Sequence, residues 1–280
     1  MVCDTNTVSD YFAEQIAADS FHPICTVYGW HTQNFYEDIL HDDCLGIRQD
    51  ATASCLKELC EEGAFGAMPG GPWKERYNVC LFIASKRFKA WCRDQRISCS
   101  QSRFTVNSLT LSTLDSIPVT KGKARNSVYV SQWLAEFCRD FVSTEHGRQR
   151  CTCMHGFMEF WNTVNSSKSR LLVSSEEKLR LQSAREMLLL CYQWLSKESV
   201  ENGKHSWNMR PKFHRVDKCL RRCIRTGLNP SIFWTFGSEH LMGVMARQCQ
   251  KIHGSSLYRR SVQRWQIYWW AELLHEIEGR

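Results

Sequence analysis

From Trp73 to Ile97 the apolar side chains Tyr77, Cys80, Leu81, Ala84, Phe88 and Trp91 return every three or four residues, and Lys74, Lys86, Arg87, Lys89 and Arg93 fill the positions between them. That spacing matches the 3.6-residue period of a helix with one buried stripe. The pattern recurs along the chain. Gln49–Glu62 puts Ala53, Leu56, Leu59 and Cys60 on one face, Asn126–Val142 does the same through Val130, Trp133, Leu134, Phe137 and Phe141, and His155–Val164 reads as another helix. Ser174 with Glu177 forms a capping box before a long helix through Leu179, Ala184, Leu188, Cys191, Trp194 and Leu195, which Asn202–Gly203 ends. Further helices are expected at His214–Arg225, Ser238–His253 and Ser256–Glu278. Phe104–Leu114 alternates only weakly and reads as an extended segment or a short helix. The expected fold class is mainly α, a helical bundle-like architecture.

Composition sets the outer bounds. With 280 residues, 43% of them apolar and 11 of them Trp, the chain has the material for a sizeable core and is not a disordered polymer. Its 15 Cys are odd in number and irregularly spaced, which points to reduced thiols in the cytosol or, in a eukaryote, the nucleus. The first twenty residues carry Asp4, Asp10, Glu14 and Asp19 without an apolar run, so no signal peptide is expected. Apolar runs such as Met187–Tyr192 are far shorter than a membrane span, and no membrane partner is expected.

Charge is unevenly placed. The net charge is +7, and Glu201 to Arg280 holds fourteen Lys/Arg against six Asp/Glu. The chain therefore divides into a near-neutral helical body, residues 1–200, and a basic helical segment, residues 201–280. Arg215, Lys218, Arg221, Arg222 and Arg225 recur at helical steps, and Arg259, Arg260 and Arg264 follow beside Trp265, Tyr268, Trp269 and Trp270. Rows of arginine next to aromatic rings suit phosphate contact and base stacking, so DNA is the expected partner.

Two clusters have the residue types for chemistry. Asp38 and His41 would share one side of a helical turn, where a carboxylate and an imidazole can share a metal or relay a proton. Asp42 and Asp43 adjoin them, and the bland alternative is a surface segment that caps the next helix. Glu239 opens a helix with Gly243 four residues on, and a carboxylate there suits Mg²⁺ or Mn²⁺ near phosphate. The alternative is an acid favoured by the helix dipole. Cys151, Cys153 and His155 lie together, as do His214, Cys219 and Cys223, yet neither group supplies two well-spaced ligand pairs, and zinc is not expected. The chain lacks a phosphate-binding Gly-Lys-Ser/Thr loop, a dinucleotide glycine fingerprint and a Gly-x-Ser-x-Gly elbow.

The order of these motifs resembles the C-terminal half of CACTA-type and related cut-and-paste transposases. The matching stretches are Asp38–His41, Lys121–Phe141, Pro211–Lys218 and Phe236–Gly243, which with their surroundings span about half the chain. The resemblance implies an RNase H-like catalytic domain that uses carboxylates and two divalent ions, of which a remnant of the α/β core would survive here. It implies Glu239 as the last catalytic carboxylate, Asp38 as its partner on Mg²⁺ or Mn²⁺, and His41, His214 and Gly243 as motif residues. A first catalytic Asp and its strand are not evident, so a transposase-like DNA-binding protein without activity fits as well as an enzyme. The rival expectation is a non-catalytic helical interaction or scaffold module.

Overall fold

The computed structural model describes residues 37–236, together with the helical positions Val262, Gln263, Gln266, Ile267 and Trp270. The described residues are mainly helical, with no strand among them beyond an isolated Leu172–Leu228 bridge. The remnant of an RNase H-like sheet has no counterpart there. Six α-helices follow in order: α1 Arg48–Glu61, α2 Trp73–Asp94, α3 Ala124–Phe137, α4 Glu145–Ser166, α5 Ser175–Glu201 and α6 Pro211–Thr226. A π-helical segment, Leu40–Ile47, leads into α1 through a kink at Gly46. The expected helix over Ser238–His253 lies outside the described residues, as do Glu239, Gly243, Arg259, Arg260 and Arg264.

The centre of the fold departs from the sequence expectation. Gln49–Glu62 read as a one-faced helix, but every residue of α1 from Arg48 to Cys60 is buried. Its apolar residues enter the core, and its polar residues each hold a different neighbour. Gln49 Nε2 donates to Gly122 O at 3.0 Å, Thr52 Oγ1 meets Thr120 Oγ1 at 3.2 Å, and Lys57 Nζ donates to Leu114 O at 2.9 Å. Ser54 Oγ accepts from Trp207 N at 2.9 Å, and Arg210 pairs with Asp50. A helix buried on all sides is normally apolar all round. This one gives each buried polar side chain a partner, although Asp50 Oδ2 is itself left without a hydrogen bond, and so fixes where the surrounding loops lie.

Around α1 the other helices bury ordinary stripes. The faces of α2 and α3 meet in a ring cluster in which Phe88 and Trp133 lie 5.5 Å apart and Phe65 stacks on Phe137 at 5.2 Å. Phe104–Leu114 is neither strand nor helix; it is a turn-rich loop that inserts Phe104, Val106, Leu109 and Leu111 into the core. Ser174 and Glu177 close the expected capping box at the start of α5. Leu179, expected on the buried face of that helix, is 72% exposed, and Leu181 takes its place.

The fourth helix begins ten residues before the expected His155 start. Thr144 Oγ1 caps the helix by accepting from Gly147 N at 2.9 Å, and Gly156 serves packing. A Cβ at Gly156 would stand 2.6 Å from Leu188 N and 2.9 Å from Leu188 Cα, both backbone atoms of α5. Glycine is what allows the two helices to approach this closely. Gly156→Ala gains helix propensity of about 1 kcal/mol but forces the helices apart, and the net loss should be about 1–3 kcal/mol. A lower urea midpoint at unchanged slope would show it.

A candidate nucleic-acid interface on the basic helix

Helix α6 has two chemically distinct faces. Phe213, Val216, Asp217, Cys219, Leu220 and Cys223 are buried, while Arg215, Lys218, Arg221 and Arg225 point outward. Pro211 at the first turn and Gly227 in the left-handed conformation at the end, φ 78°, set its limits. The side chains of Arg215, Lys218 and Arg221 are 54%, 54% and 63% exposed and Arg225 is exposed, so four of the five cations expected in the row form a solvent-facing stripe, while Arg222 is only 19% exposed.

Part of that stripe is neutralised from within the chain. Arg215 Nε lies 3.1 Å from Asp42, Lys218 Nζ 2.9 Å from Glu37, and Arg222 Nη1 3.5 Å from Glu37. Asp217 receives Arg185 from α5 at 2.7 Å and also pairs with Arg221. Burial would raise the Asp217 pKa, but the hydrogen bonds from Arg221 and Arg185 bring it below its usual value. The helix carries six Lys/Arg, and these pairs set three carboxylates against them, which leaves a positive surplus among the described residues. Arg225 is exposed and makes no ion pair there.

The acidic segment facing α6 is held by Asp38. Its Oδ1 accepts from Leu40 N at 3.0 Å and from Thr235 N at 3.1 Å, and its Oδ2 accepts from the Thr235 hydroxyl and lies 2.5 Å from His41 Nδ1. Partial burial works to raise the Asp38 pKa, yet Thr235, His41 and the two backbone groups hold it below the ordinary value. The expected Asp38–His41 pairing is therefore present, with Thr235 as a third member. An open metal ligand needs a free lone pair, and both Asp38 oxygens already accept two donors each. Among the described residues no group of three or more His, Cys, Asp or Glu is arranged to hold a metal ion.

Lys212 ties the two elements together. Its Nζ donates to His41 O at 2.7 Å and Leu45 O at 3.1 Å, carbonyls of the π-helical segment. Such bulges interrupt regular helix hydrogen bonding and recur at functional sites. Gly46 permits the approach, because a Cβ there would stand 2.8 Å from Lys212 Cδ and 3.0 Å from His41 O. His214 is exposed at the edge of the stripe.

Third and fourth stretches join the same place. Ser127 Oγ of α3 donates to Cys44 O at 2.5 Å. Trp161 of α4 stacks on Trp234 at 5.7 Å and meets Phe236 edge-on at 5.8 Å. Asp38–His41, the start of α3, the start of α6 and the residues before 237 are thus neighbours in space, although up to 197 residues apart in sequence. What the sequence reading missed is the role of Glu37 and Asp42. The signal was the density of acids at Glu37–Asp43, which could have been matched against the basic row.

A second cluster, which the sequence did not point to, lies in a cleft of about 520 Å³ lined by Glu58, Glu62, Glu145, His146, Glu198 and Lys204. His146 Nε2 lies 2.9 Å from Glu58, and its Nδ1 bonds Glu198. Burial works to lower the His146 pKa, but the hydrogen bonds and charges of Glu58 and then Glu198 raise it to about 9. With both ring nitrogens engaged, the imidazolium serves as a clamp between α1, α4 and α5 and not as a general base. Its folded pKa is above the ordinary 6.5, so its contribution is full below pH 6.5 and disappears as pH rises through 9. The expected gain from the proton is on the order of 2–3 kcal/mol. Melting temperatures of the native chain and of His146→Gln should converge between pH 6.5 and 9, and parallel curves would contradict the clamp.

The cysteines near these sites are core residues. Cys153 and Cys138 are fully buried, Cys219 and Cys223 line the inner face of α6, and Cys151 Sγ is 3.7 Å from His155 Nδ1. Burial raises the thiols of Cys151 and Cys223 to about 11 and about 12. Thiols of that kind pack as small apolar groups and ionise reluctantly. No helix among the described residues is long and apolar enough to cross a membrane. Comparison with protein-family models, with curated proteins and with solved structures finds no match to this chain.

Proposed function

We propose that the chain is a DNA-binding protein of transposase descent, with α6 as its phosphate-contacting element. The observation that carries the reading is spatial: the Asp38–Ile47 segment lies against an exposed basic helix whose cations outnumber their carboxylate partners among the described residues, and Ser127 of α3 and Thr235 bond to that same segment from far along the chain. Every phosphate neutralised by Lys or Arg releases counterions and steepens the salt dependence of binding. The pairs with Glu37, Asp42 and Asp217 orient the long side chains and also shield them, so moderate affinity at physiological salt is expected.

Fluorescence anisotropy with labelled duplex DNA across a salt series tests this. Binding should weaken steeply with salt, and Lys218→Gln, Arg221→Gln and Arg225→Gln should each reduce the log–log slope by about one. The enzymatic form of the reading requires Asp38 to open toward Glu239 with Mg²⁺ or Mn²⁺; Mn²⁺ would then strengthen binding only with Glu239 intact. Binding indifferent to Mn²⁺ and to Glu239→Gln identifies a non-catalytic DNA binder. No binding at low salt overturns the proposal and leaves the helical interaction or scaffold module.

A further inference from the structure

Beside the α6 stripe lies an aromatic group whose rim has an uncompensated charge. The Arg125 guanidinium sits 5.7 Å from the Tyr129 ring and 5.8 Å from the Trp161 ring, and its Nε donates to Tyr129 Oη at 3.1 Å. Trp161 itself is 4% exposed and forms a floor. Trp234 stacks on that floor with its plane 24° from parallel, and is only half-buried. Core packing accounts for the floor. It does not account for an exposed arginine over two rings that makes no ion pair among the described residues, when most of the charged groups around α1 and α6 are paired.

The loop that leads to Arg125 is basic and firmly held. Lys121 and Lys123 are exposed, while Lys121 N donates to Ser108 O at 2.7 Å and Gly122 O accepts from Gln49 at 3.0 Å. The cations therefore stand on a fixed backbone, which reduces the ordering cost of binding. Trp234 is the immediate neighbour of Thr235, whose backbone and hydroxyl hold Asp38. The aromatic group and the basic helix thus share one framework. A duplex presents phosphates and groove edges to such a surface but keeps its base faces stacked inside. An unpaired nucleotide offers both a π-face and a phosphate.

We infer that this surface takes an unpaired nucleotide, with the base stacked against Trp234 and Tyr129 and its phosphate on Arg125 and the Lys121–Lys123 loop. The inference rests on the proposed DNA-binding reading and narrows it: the strand engaged beside α6 is single-stranded or has a base turned out of the helix.

The test uses the full chain with a fluorescein-labelled mixed-sequence single strand, the same strand annealed to its complement, and the single strand with abasic sites. The single strand should bind more tightly than the duplex at equal salt, and abasic sites should remove the preference. Trp234→Leu should weaken single-strand binding about five-fold or more, with duplex binding unchanged. Arg125→Gln alters an exposed side chain that the core does not need; it should weaken single-strand binding and preserve the melting temperature, so an unstable Trp234 variant does not leave the matter open. Duplex binding equal to or tighter than single-strand binding, or a preference that survives both substitutions, overturns the inference while the DNA-binding reading stands. Failure of all three probes to bind at low salt removes both.

Discussion

Asp43→Ala should lower the stability of the folded chain by about 3–5 kcal/mol. Asp43 and Arg48 are both fully buried, and the carboxylate takes Arg48 Nη2 at 2.6 Å and Nε at 3.1 Å. Burial pushes the Asp43 carboxyl up, and the charge and hydrogen bonds of Arg48 offset that push only in part. Removing the acid leaves a guanidinium in the core with only the Ser131 hydroxyl, the Phe157 carbonyl and the face of the Phe157 ring, 4.8 Å away. That remainder does not replace an ion partner. The desolvation argument also gives a control. Asp43→Leu combined with Arg48→Met removes both charges and should recover most of the loss, to within about 1–2 kcal/mol of the native chain. Urea denaturation of the native chain and the two variants decides it, and a double variant no better than Asp43→Ala would mean that the pair contributes more than mutual neutralisation.

A second large effect is expected at Glu58. This carboxylate accepts from Trp207 Nε1 at 2.7 Å, lies 2.9 Å from His146 Nε2, and receives Arg150 Nη1 at 3.4 Å. Trp207 and Arg150 are fully buried. Glu58→Ala therefore orphans a buried indole N–H and takes one of two carboxylates from a histidine and from an arginine, at an expected cost of about 3–5 kcal/mol. The pH profile should change as well. With Glu58 gone, His146 retains Glu198 alone, its pKa falls toward 6.5, and the stability lost between pH 6.5 and 9 in the native chain is largely absent from the variant. Asp50, which burial raises to about 6 despite the hydrogen bond and charge of Arg210, is present in the native chain and the variant alike, so the difference between their profiles reports on His146. Melting curves collected from pH 6 to 10 provide the measurement. A variant that keeps the native slope would show that Glu198 alone holds the imidazolium.

These two sites show what can and cannot be read from a linear sequence. The helices were legible wherever one face is buried, as in Trp73–Asp94 and Ala124–Phe137, because burial on one side writes a 3.6-residue period. The period disappears where a helix is surrounded. Arg48, Asp50, Lys57 and Glu58 read as a solvated face, yet each is buried against a partner far along the chain. Nothing local in the sequence marks Glu58, His146 and Glu198 as neighbours. At α6 the amphipathic pattern separated the basic row from Cys219 and Cys223 correctly. The pairing of that row with Glu37 and Asp42 depends on how the π-helical segment kinks at Gly46, which is a tertiary event. The Asp38–His41 contact was legible because three residues of helical turn bring it about, and Thr235 was not, because it arrives from 197 residues away.

The buried middle helix has a consequence for how this chain can change over time. Surface-like composition usually signals freedom to substitute, and exposed Leu179, Leu190 and Val200 on α5 show how loosely an apolar residue can be placed here. In α1 that relation is inverted. Its acids and bases are the residues least open to drift, since a change at Arg48, Asp50 or Glu58 must be answered by a matching change at Asp43, Arg210 or His146. Related chains should therefore vary these positions in concert, swapping partners together, while the apolar residues between them exchange with one another singly.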